Sequence, residues 1–369
     1  MDEFHRRIIC GDVFKELRLL PDKAFDCIIT SPPYWRMRSY FGDMQNDDEF
    51  GKEWDFNDYL DKLMYVALEC KRVLKDTGTF WVNMGDPYCG SGQGAGTDPA
   101  KCKESYTTEK RMHVNDPFAA KCRVGLPERF YIRCIDAGWI ARNHIAWFKP
   151  NAKPNSAKDR FTINWESVFF FSKRGKYYFD LDPVRQKSQE VTKPFNIRVR
   201  DSKDGISQMT LTGGASRDEE LRHNKKGEPV SHKNTTLDRP GAPDTMHVNR
   251  KYTTETMSRR VSHGYDVNTG EPLNHPKGKN PGAIFVIPTK PYTGKHQATF
   301  PVALPEYILQ CACPPDGIVF DPFFGAGSTG VAAERQGRRW CGIELNPDSV
   351  QEATERLEKY RNSKISEKQ

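Results

Sequence analysis

The sequence predicts an α/β fold built on a largely parallel sheet, and three observations carry that prediction. Short apolar runs alternate with helical patterns over the first 180 residues, the same alternation returns after residue 282, and near the C-terminus a strand passes into a helix through a Gly-rich turn. Strands joined by helices pair in parallel because the helix carries the chain back across the sheet.

Arg6–Cys10 (RRIIC) reads as the first strand and ends at Gly11-Asp12. Phe25–Thr30 (FDCIIT) is the second and stops at Ser31-Pro32-Pro33-Tyr34. Tyr59–Leu74 places apolar residues at helical spacing, with Asp76 and Gly78 as the stop signal. Thr79–Gly85 (TFWVNMG) is a third strand, followed by a Gly-rich loop, CGSGQGAG, and an amphipathic helix around Pro127–Asp136. Asn143–Phe148 and Glu166–Lys173 form a further pair of strands. After Gly282 come an apolar run at Ala283–Pro288, a helical pattern at Tyr307–Cys311 and a strand, turn and helix over Ile318–Gln336. A strand over Arg338–Asn346 and a charged helix at Glu352–Tyr360 complete the chain, which holds no internal repeat.

Composition narrows the class. With 37% hydrophobic and 28% charged residues, the chain of 369 has the balance of a soluble globular protein. No apolar stretch is long enough for a membrane span, and MDEFHRR opens without a signal-peptide core, so a cytoplasmic protein with no membrane partner is expected. The ten cysteines lack framework spacing, so reduced thiols are expected, and Cys311 with Cys313 has no second pair to complete a metal site. Of the net charge of +7, residues 186–282 hold +5, from 17 Lys+Arg against 12 Asp+Glu. That stretch has no Trp, only three other aromatics, and five of the nine His. It divides the chain into 1–185, 186–282 and 283–369. The middle part reads either as a linker without a role or as a partly flexible, nucleic-acid-facing insert that orders when phosphates neutralise it.

Two motifs carry chemistry. In Asp321-Pro322-Phe323-Phe324-Gly325-Ala326-Gly327-Ser328-Thr329, two close glycines let the backbone turn through positive φ and approach a ligand at the C-terminal edge of a strand. Glu344 ends the next strand, where a carboxylate can accept two ribose hydroxyls, with Asn346 just beyond it. The third glycine of a pyrophosphate fingerprint is missing and no Gly-Lys-Ser/Thr follows, so a nucleoside without phosphates fits best. A tight structural turn is the alternative for the motif taken alone. In Ser31-Pro32-Pro33-Tyr34-Trp35, two prolines fix φ and remove N–H donors, leaving rigid carbonyls. The Ser31 hydroxyl and the Pro32 carbonyl are candidate acceptors for the two N–H groups of an amine, and Tyr34 offers a face for a base to stack on. The alternative is a Pro-Pro turn that closes a strand.

Together these motifs resemble the β class of DNA amino-methyltransferases, in which the Ser/Asp-Pro-Pro-Tyr motif comes first, the target-recognition region next and the Phe-x-Gly-x-Gly motif last. The resemblance covers roughly 1–185 and 283–360 and not the middle. It implies a Rossmann-like S-adenosylmethionine-dependent methyltransferase fold in permuted motif order, with a mixed seven-stranded sheet and helices on both faces. It also implies that residues 1–185 and 283–369 form the catalytic domain, and that 186–282 is the target-recognition insert that contacts duplex DNA. The implied cofactor is S-adenosyl-L-methionine. Its site would draw on Asp12, Ser31, Asp321, Pro322, Phe323, Gly325, Gly327, Ser328, Thr329, Glu344 and Asn346, with His296 and Phe300 from the segment preceding the Gly-rich strand. A buried structural role is the alternative for His296. The catalytic group would be Ser31, Pro32, Pro33 and Tyr34.

On the DNA side, Trp35, Arg36 and Arg38 follow the tetrad. Trp147, Lys149 and Arg160 lie, with Asp159 and Glu166, in a stretch that resembles one in Ser-Pro-Pro-Tyr members, with packing or an ion pair as the alternative for each. Arg198, Arg200, Lys225, Lys226, Arg259 and Arg260 are the basic candidates of the insert. A leading Ser favours cytosine N4 as the target, with adenine N6 on the same fold as the alternative. RNA or a protein amide as substrate, and a non-catalytic DNA-binding subunit, are further readings. Attack at cytosine carbon-5 needs a Cys nucleophile, usually after Pro, and the chain has no Pro-Cys dipeptide. A cognate restriction endonuclease and a second copy of the chain are the protein partners such an enzyme admits.

Overall fold

The computed structural model describes residues 4–35, 50–53, 55–89, 118–119, 121–187, 196–201, 207–212, 275–290 and 299–366. The chain falls into two units, 1–184 with 280–369, and 185–279.

In the first unit, β1 (Arg7–Cys10) leads through Gly11 into α1 (Val13–Leu19), a helix the sequence reading passed over. Its signal is the cap: Asp12 Oδ1 accepts from the backbone N–H of Phe14 and Lys15, satisfying two donors that the first turn leaves open. The chain continues as β2 (Phe25–Thr30), α2 (Phe56–Val73), β3 (Leu74–Met84), α3 (Leu126–Asp136), β4 (Ile140–Phe148) and β5 (Trp165–Ser172).

In the second unit, β6 (Asn196–Asp201) and β7 (Ser207–Thr212) pair antiparallel, with Arg198 opposite Thr210 and Arg200 opposite Gln208. Its two ends are tied together, Gln186 and Lys279 exchanging backbone hydrogen bonds of 3.0 and 2.8 Å.

The first unit resumes with β8 (Ile284–Val286), α4 (Ala303–Ala312), β9 (Ile318–Asp321), α5 (Ser328–Arg335), β10 (Arg339–Glu344) and α6 (Pro347–Ser366). Eight strands form one sheet in the order β1-β10-β9-β2-β3-β5-β4-β8. Pairing is parallel from β1 to β3, antiparallel for β3·β5 and β5·β4, and parallel again for β4·β8. The sheet is therefore mixed. It has one strand more than the seven implied, because the short β8 adds to the edge beside Ala146–Phe148.

Every residue of β2 is buried, as expected for a strand with both faces covered. The pleat sends Ile28 into a core with α1, α2 and α3 and Cys27 and Ile29 into a second core with α4, α5 and α6, while an irregularity between Phe25 and Cys27 lets Phe25 join the first. The result is three layers with the sheet in the middle. Phe25 stacks on Phe320 of β9 at 4.4 Å, and Trp81 of β3 stacks on Phe170 of β5 at 4.1 Å. Each such fully buried side chain stabilises the fold by about 1.5–3 kcal/mol. Because β1, β10, β9 and β2 are parallel neighbours, their C-terminal ends emerge along one edge. That edge carries both sequence motifs.

Candidate active site

At the end of β9 the Asp321 carboxylate ties the two motifs together. Its Oδ1 accepts from the Thr30 hydroxyl at 2.7 Å and from the Phe323 N–H at 3.0 Å, and its Oδ2 accepts from the Thr329 hydroxyl at 2.7 Å. Thr30 precedes Ser31, so this one carboxylate joins segments 291 residues apart. Full burial pushes its pKa up from 3.8 to about 7, against the opposing pull of its hydrogen bonds.

The turn that follows needs its glycines for two separate reasons. Gly325 and Gly327 sit at φ of 51° and 76°, where a side chain is strained. Gly342 and Gly330 are needed for space, since a Cβ on either would lie 2.1 or 2.7 Å from the Phe324 ring, which stacks on Trp340. Glu344, at the end of β10, accepts from the Gly325 N–H at 2.8 Å and from the Asn346 N–H at 3.0 Å. Burial pushes its carboxyl pKa up. Each of its oxygens keeps acceptor capacity beyond the one bond.

The two motifs line one cavity of about 900 Å³, counting the space at its open mouth. Ser31 and Pro33 line it from the tetrad, Pro322, Phe323, Gly325, Ser328, Glu344 and Asn346 from the turn and the end of β10, and Asp12 and Phe300 complete the lining. Its charged groups among the described residues are the carboxylates Asp12 and Glu344, with no Lys or Arg. Such a lining suits a ligand that offers hydroxyl, amine or cationic groups and disfavours a phosphate.

Beside the cavity the tetrad is held by side chains from β3, β5 and α2. The Tyr34 hydroxyl lies 3.0 Å from Glu166 Oε2 and 3.1 Å from Asn83 Oδ1, while Ser31 Oγ lies 3.4 Å from both Tyr34 Oη and Asn83 Oδ1. Asn83 Nδ2 donates to Glu166 Oε2 at 3.2 Å, and Lys149 Nζ pairs with Glu166 Oε1. Tyr34 packs flat enough on Gly85 that a Cβ there would meet its ring at 2.6 Å. The Tyr59 hydroxyl donates to the Pro33 carbonyl at 3.0 Å, which leaves the Pro32 carbonyl as the second acceptor beside Ser31.

Several expectations change on the structure. Asp321, Gly327 and Thr329 do not line the cavity: they lie beneath it and hold the turn from within. Trp35 is 3% exposed and donates to the Glu53 carbonyl, and Trp147 is 2% exposed and donates to the Ile287 carbonyl at 2.8 Å. Both are core residues that offer no free face to a base. Lys149 sits over the Trp147 ring at 4.3 Å and so stands between that ring and Glu166. Arg160 stacks over Tyr88 at 3.6 Å. His296, Arg36, Arg38, Lys225, Lys226, Arg259, Arg260 and most of the CGSGQGAG loop lie outside the described residues. Arg198 and Arg200 are described by their backbone on β6.

The sequence reading missed Asn83 and Phe50. Asn83 had a signal, an amide in the apolar run Phe80–Met84 that ends β3. Phe50 lines the cavity and stacks on Phe323 at 5.4 Å, with no local pattern to announce it.

A DNA methylase family model of N6/N4 type matches residues 25–355. The Type II methyltransferase M.SfiI of Streptomyces fimbriatus is 30% identical, over 91% of this chain and 87% of its own. M.Cfr9I of Citrobacter freundii is also 30% identical, over 94% and 86%. Among solved structures, PvuII DNA methyltransferase (cytosine-N4-specific) shares the fold with a TM-score of 0.53 at 18% identity, over 96% of this chain and 90% of that one.

Proposed function

The chain belongs to the DNA methylase family of N6/N4 amino-methyltransferases, and from that premise we propose that it methylates the exocyclic N4 amine of a cytosine flipped out of duplex DNA. The observation that carries this reading is the shared cavity, lined by Ser31 and Pro33 of the tetrad together with Gly325 of the turn and Glu344 at the end of β10. S-adenosylmethionine is the methyl donor of the family, and the lining fits it: carboxylates for ribose hydroxyls and an amine and, among the described residues, no cation to repel a sulfonium.

Glu344 would take the ribose hydroxyls, Asp12 the adenine amine, and Phe300 the methionine end, with Pro322, Phe323, Gly325, Ser328 and Asn346 shaping the floor. When bound, the cofactor supplies a methyl already activated on sulfur, so the protein needs no covalent nucleophile. Ser31 Oγ and the Pro32 carbonyl accept the two N–H bonds of the target amine. That drives the nitrogen towards sp³ and frees its lone pair from the ring. Tyr34, held by Asn83 and Glu166, presents the face on which the base stacks. Alignment then supplies most of the acceleration.

The unit 185–279 is proposed as the DNA-contacting insert, with Arg198 and Arg200 of β6 among its phosphate contacts and Arg160 as a further one from the catalytic unit. Lys149 is proposed to face the target base while it holds Glu166. The Type II names of the relatives support a cognate restriction endonuclease. A Ser at the head of the tetrad supports cytosine over adenine. The test is methylation of unmodified duplex DNA, digestion to nucleosides and mass spectrometry. N4-methylcytosine is the expected product; N6-methyladenine would move the target to adenine, and no methylated nucleoside would overturn the reading.

A further inference from the structure

We propose that Glu166, paired with Lys149, is the terminal proton acceptor of a relay that starts at Ser31 and passes through Tyr34. The inference rests on the amine-methylation reading above and extends it to a residue outside both motifs. A methylated amine carries a surplus proton, and the acceptors beside it, a hydroxyl and a carbonyl, cannot retain one. The structure supplies a route. Ser31 Oγ lies 3.4 Å from Tyr34 Oη, and Tyr34 Oη lies 3.0 Å from Glu166 Oε2. These hydroxyl contacts shorten when substrate orders the site.

The donor count fixes the direction of the chain. Asn83 Nδ2 donates to Glu166 Oε2 and to the Ser167 carbonyl, so its Oδ1 faces the two hydroxyls as an acceptor only. Glu166 is the one carboxylate that meets Tyr34 among the described contacts, and the groups that face it are Tyr34 and Asn83 on one oxygen and Lys149 on the other. Its side chain is 23% exposed, which gives the proton an exit to water.

The step balances. The amine lone pair forms the N–CH3 bond as the S–CH3 bond breaks, and the sulfur keeps that bonding pair as a neutral thioether. The nitrogen then sheds one proton to Ser31 Oγ, which passes its own hydroxyl proton to Tyr34 Oη. Tyr34 passes its proton to Glu166, which ends as a carboxylic acid and releases the proton to solvent. Glu166 touches no reacting atom and is a positioning residue that acts through Tyr34.

Three variants of the full chain test this, with calorimetric titration of S-adenosylmethionine to report an intact fold. In single-turnover methylation of unmodified duplex DNA, Glu166→Gln should slow transfer by about a hundredfold and abolish the acid limb of the pH–rate profile. Lys149→Met, which leaves the carboxylate in place, should keep that limb. Tyr34→Phe should cost about as much as Glu166→Gln, and the double variant no more than either alone. A readout without turnover follows from the same geometry: fluorotyrosine placed at Tyr34 should show an acid titration of its fluorine resonance in the free protein that Glu166→Gln removes. A Glu166→Gln protein that transfers within about twofold of the wild type, or that is slow yet keeps the acid limb, or a fluorine titration that survives the substitution, overturns the relay. A wild-type chain that methylates no amine overturns the underlying reading and the relay with it; the variants alone decide the relay when the wild type is active.

Discussion

The two walls of the cavity are built in different ways. The wall of the Gly-rich turn is fixed from within: Asp321, Thr30 and Thr329 form a buried polar knot, Phe324 fills the space left by Gly330 and Gly342, and the backbone of Gly325 and Gly327 takes a conformation closed to other residues. The wall of the tetrad is assembled from side chains on separate elements, the half-buried Tyr34 after β2 and Glu166 on β5 with the buried Asn83 on β3 between them in the hydrogen-bond network. Changes to the first wall should therefore be felt in cofactor binding and in stability or its pH dependence. Damage to the second should be felt as lost turnover in a protein that still folds.

The largest effect expected is that of Gly325→Val. A β-branched side chain at φ of 51° next to the cavity should abolish cofactor binding, and calorimetry that finds the wild-type affinity would remove the distinction between the walls.

Next is the buried knot. The unfolded chain gives up the Asp321 proton near the ordinary aspartate value of 3.8, while the folded chain holds it to about 7. Folding stability therefore declines as pH rises through that window and is flat above it, by about 4 kcal/mol over the whole range. Asp321→Asn mimics the protonated form, so its melting temperature should meet that of the wild type near pH 4 and exceed it increasingly up to pH 7. Melts that run parallel across this range would show that Asp321 is not the titrating group.

On the other wall, Tyr34→Ala should lower turnover by about a hundredfold, equal to about 2.7 kcal/mol, with the cofactor affinity unchanged. Normal turnover in this variant would sink the assignment of the base pocket. The smallest change expected is that of Trp147→Phe, which deletes the bond to the Ile287 carbonyl: about 1 kcal/mol in a denaturant melt, with kcat unaltered. A fall in kcat with no loss of stability would return Trp147 to the base.

The contrast also explains what could be read from the chain alone. The turn, β2 and the order of the motifs are local patterns, and a fully buried strand such as FDCIIT or a Gly-x-Gly between strand and helix announces itself. Asp321 was visible as part of that pattern, but not its burial, because its partner Thr30 lies 291 residues away along the chain. The tetrad was visible too, while its support was not. Tyr34 and Glu166 are 132 residues apart and meet because β3 and β5 pair antiparallel, a register no local signal sets. An aromatic beside a motif is equally ready to stack on a ligand or to fill a core. For Trp35 and Trp147 burial decides for the core, by way of the carbonyls their indoles reach.

The most direct measurement is a crystal structure with S-adenosylhomocysteine bound. Its ribose should lie on Glu344 and its sulfur should point across the cavity at Ser31 Oγ and the Pro32 carbonyl. A ligand bound elsewhere, or a sulfur turned away from Ser31, would contradict a single site shared by the two motifs.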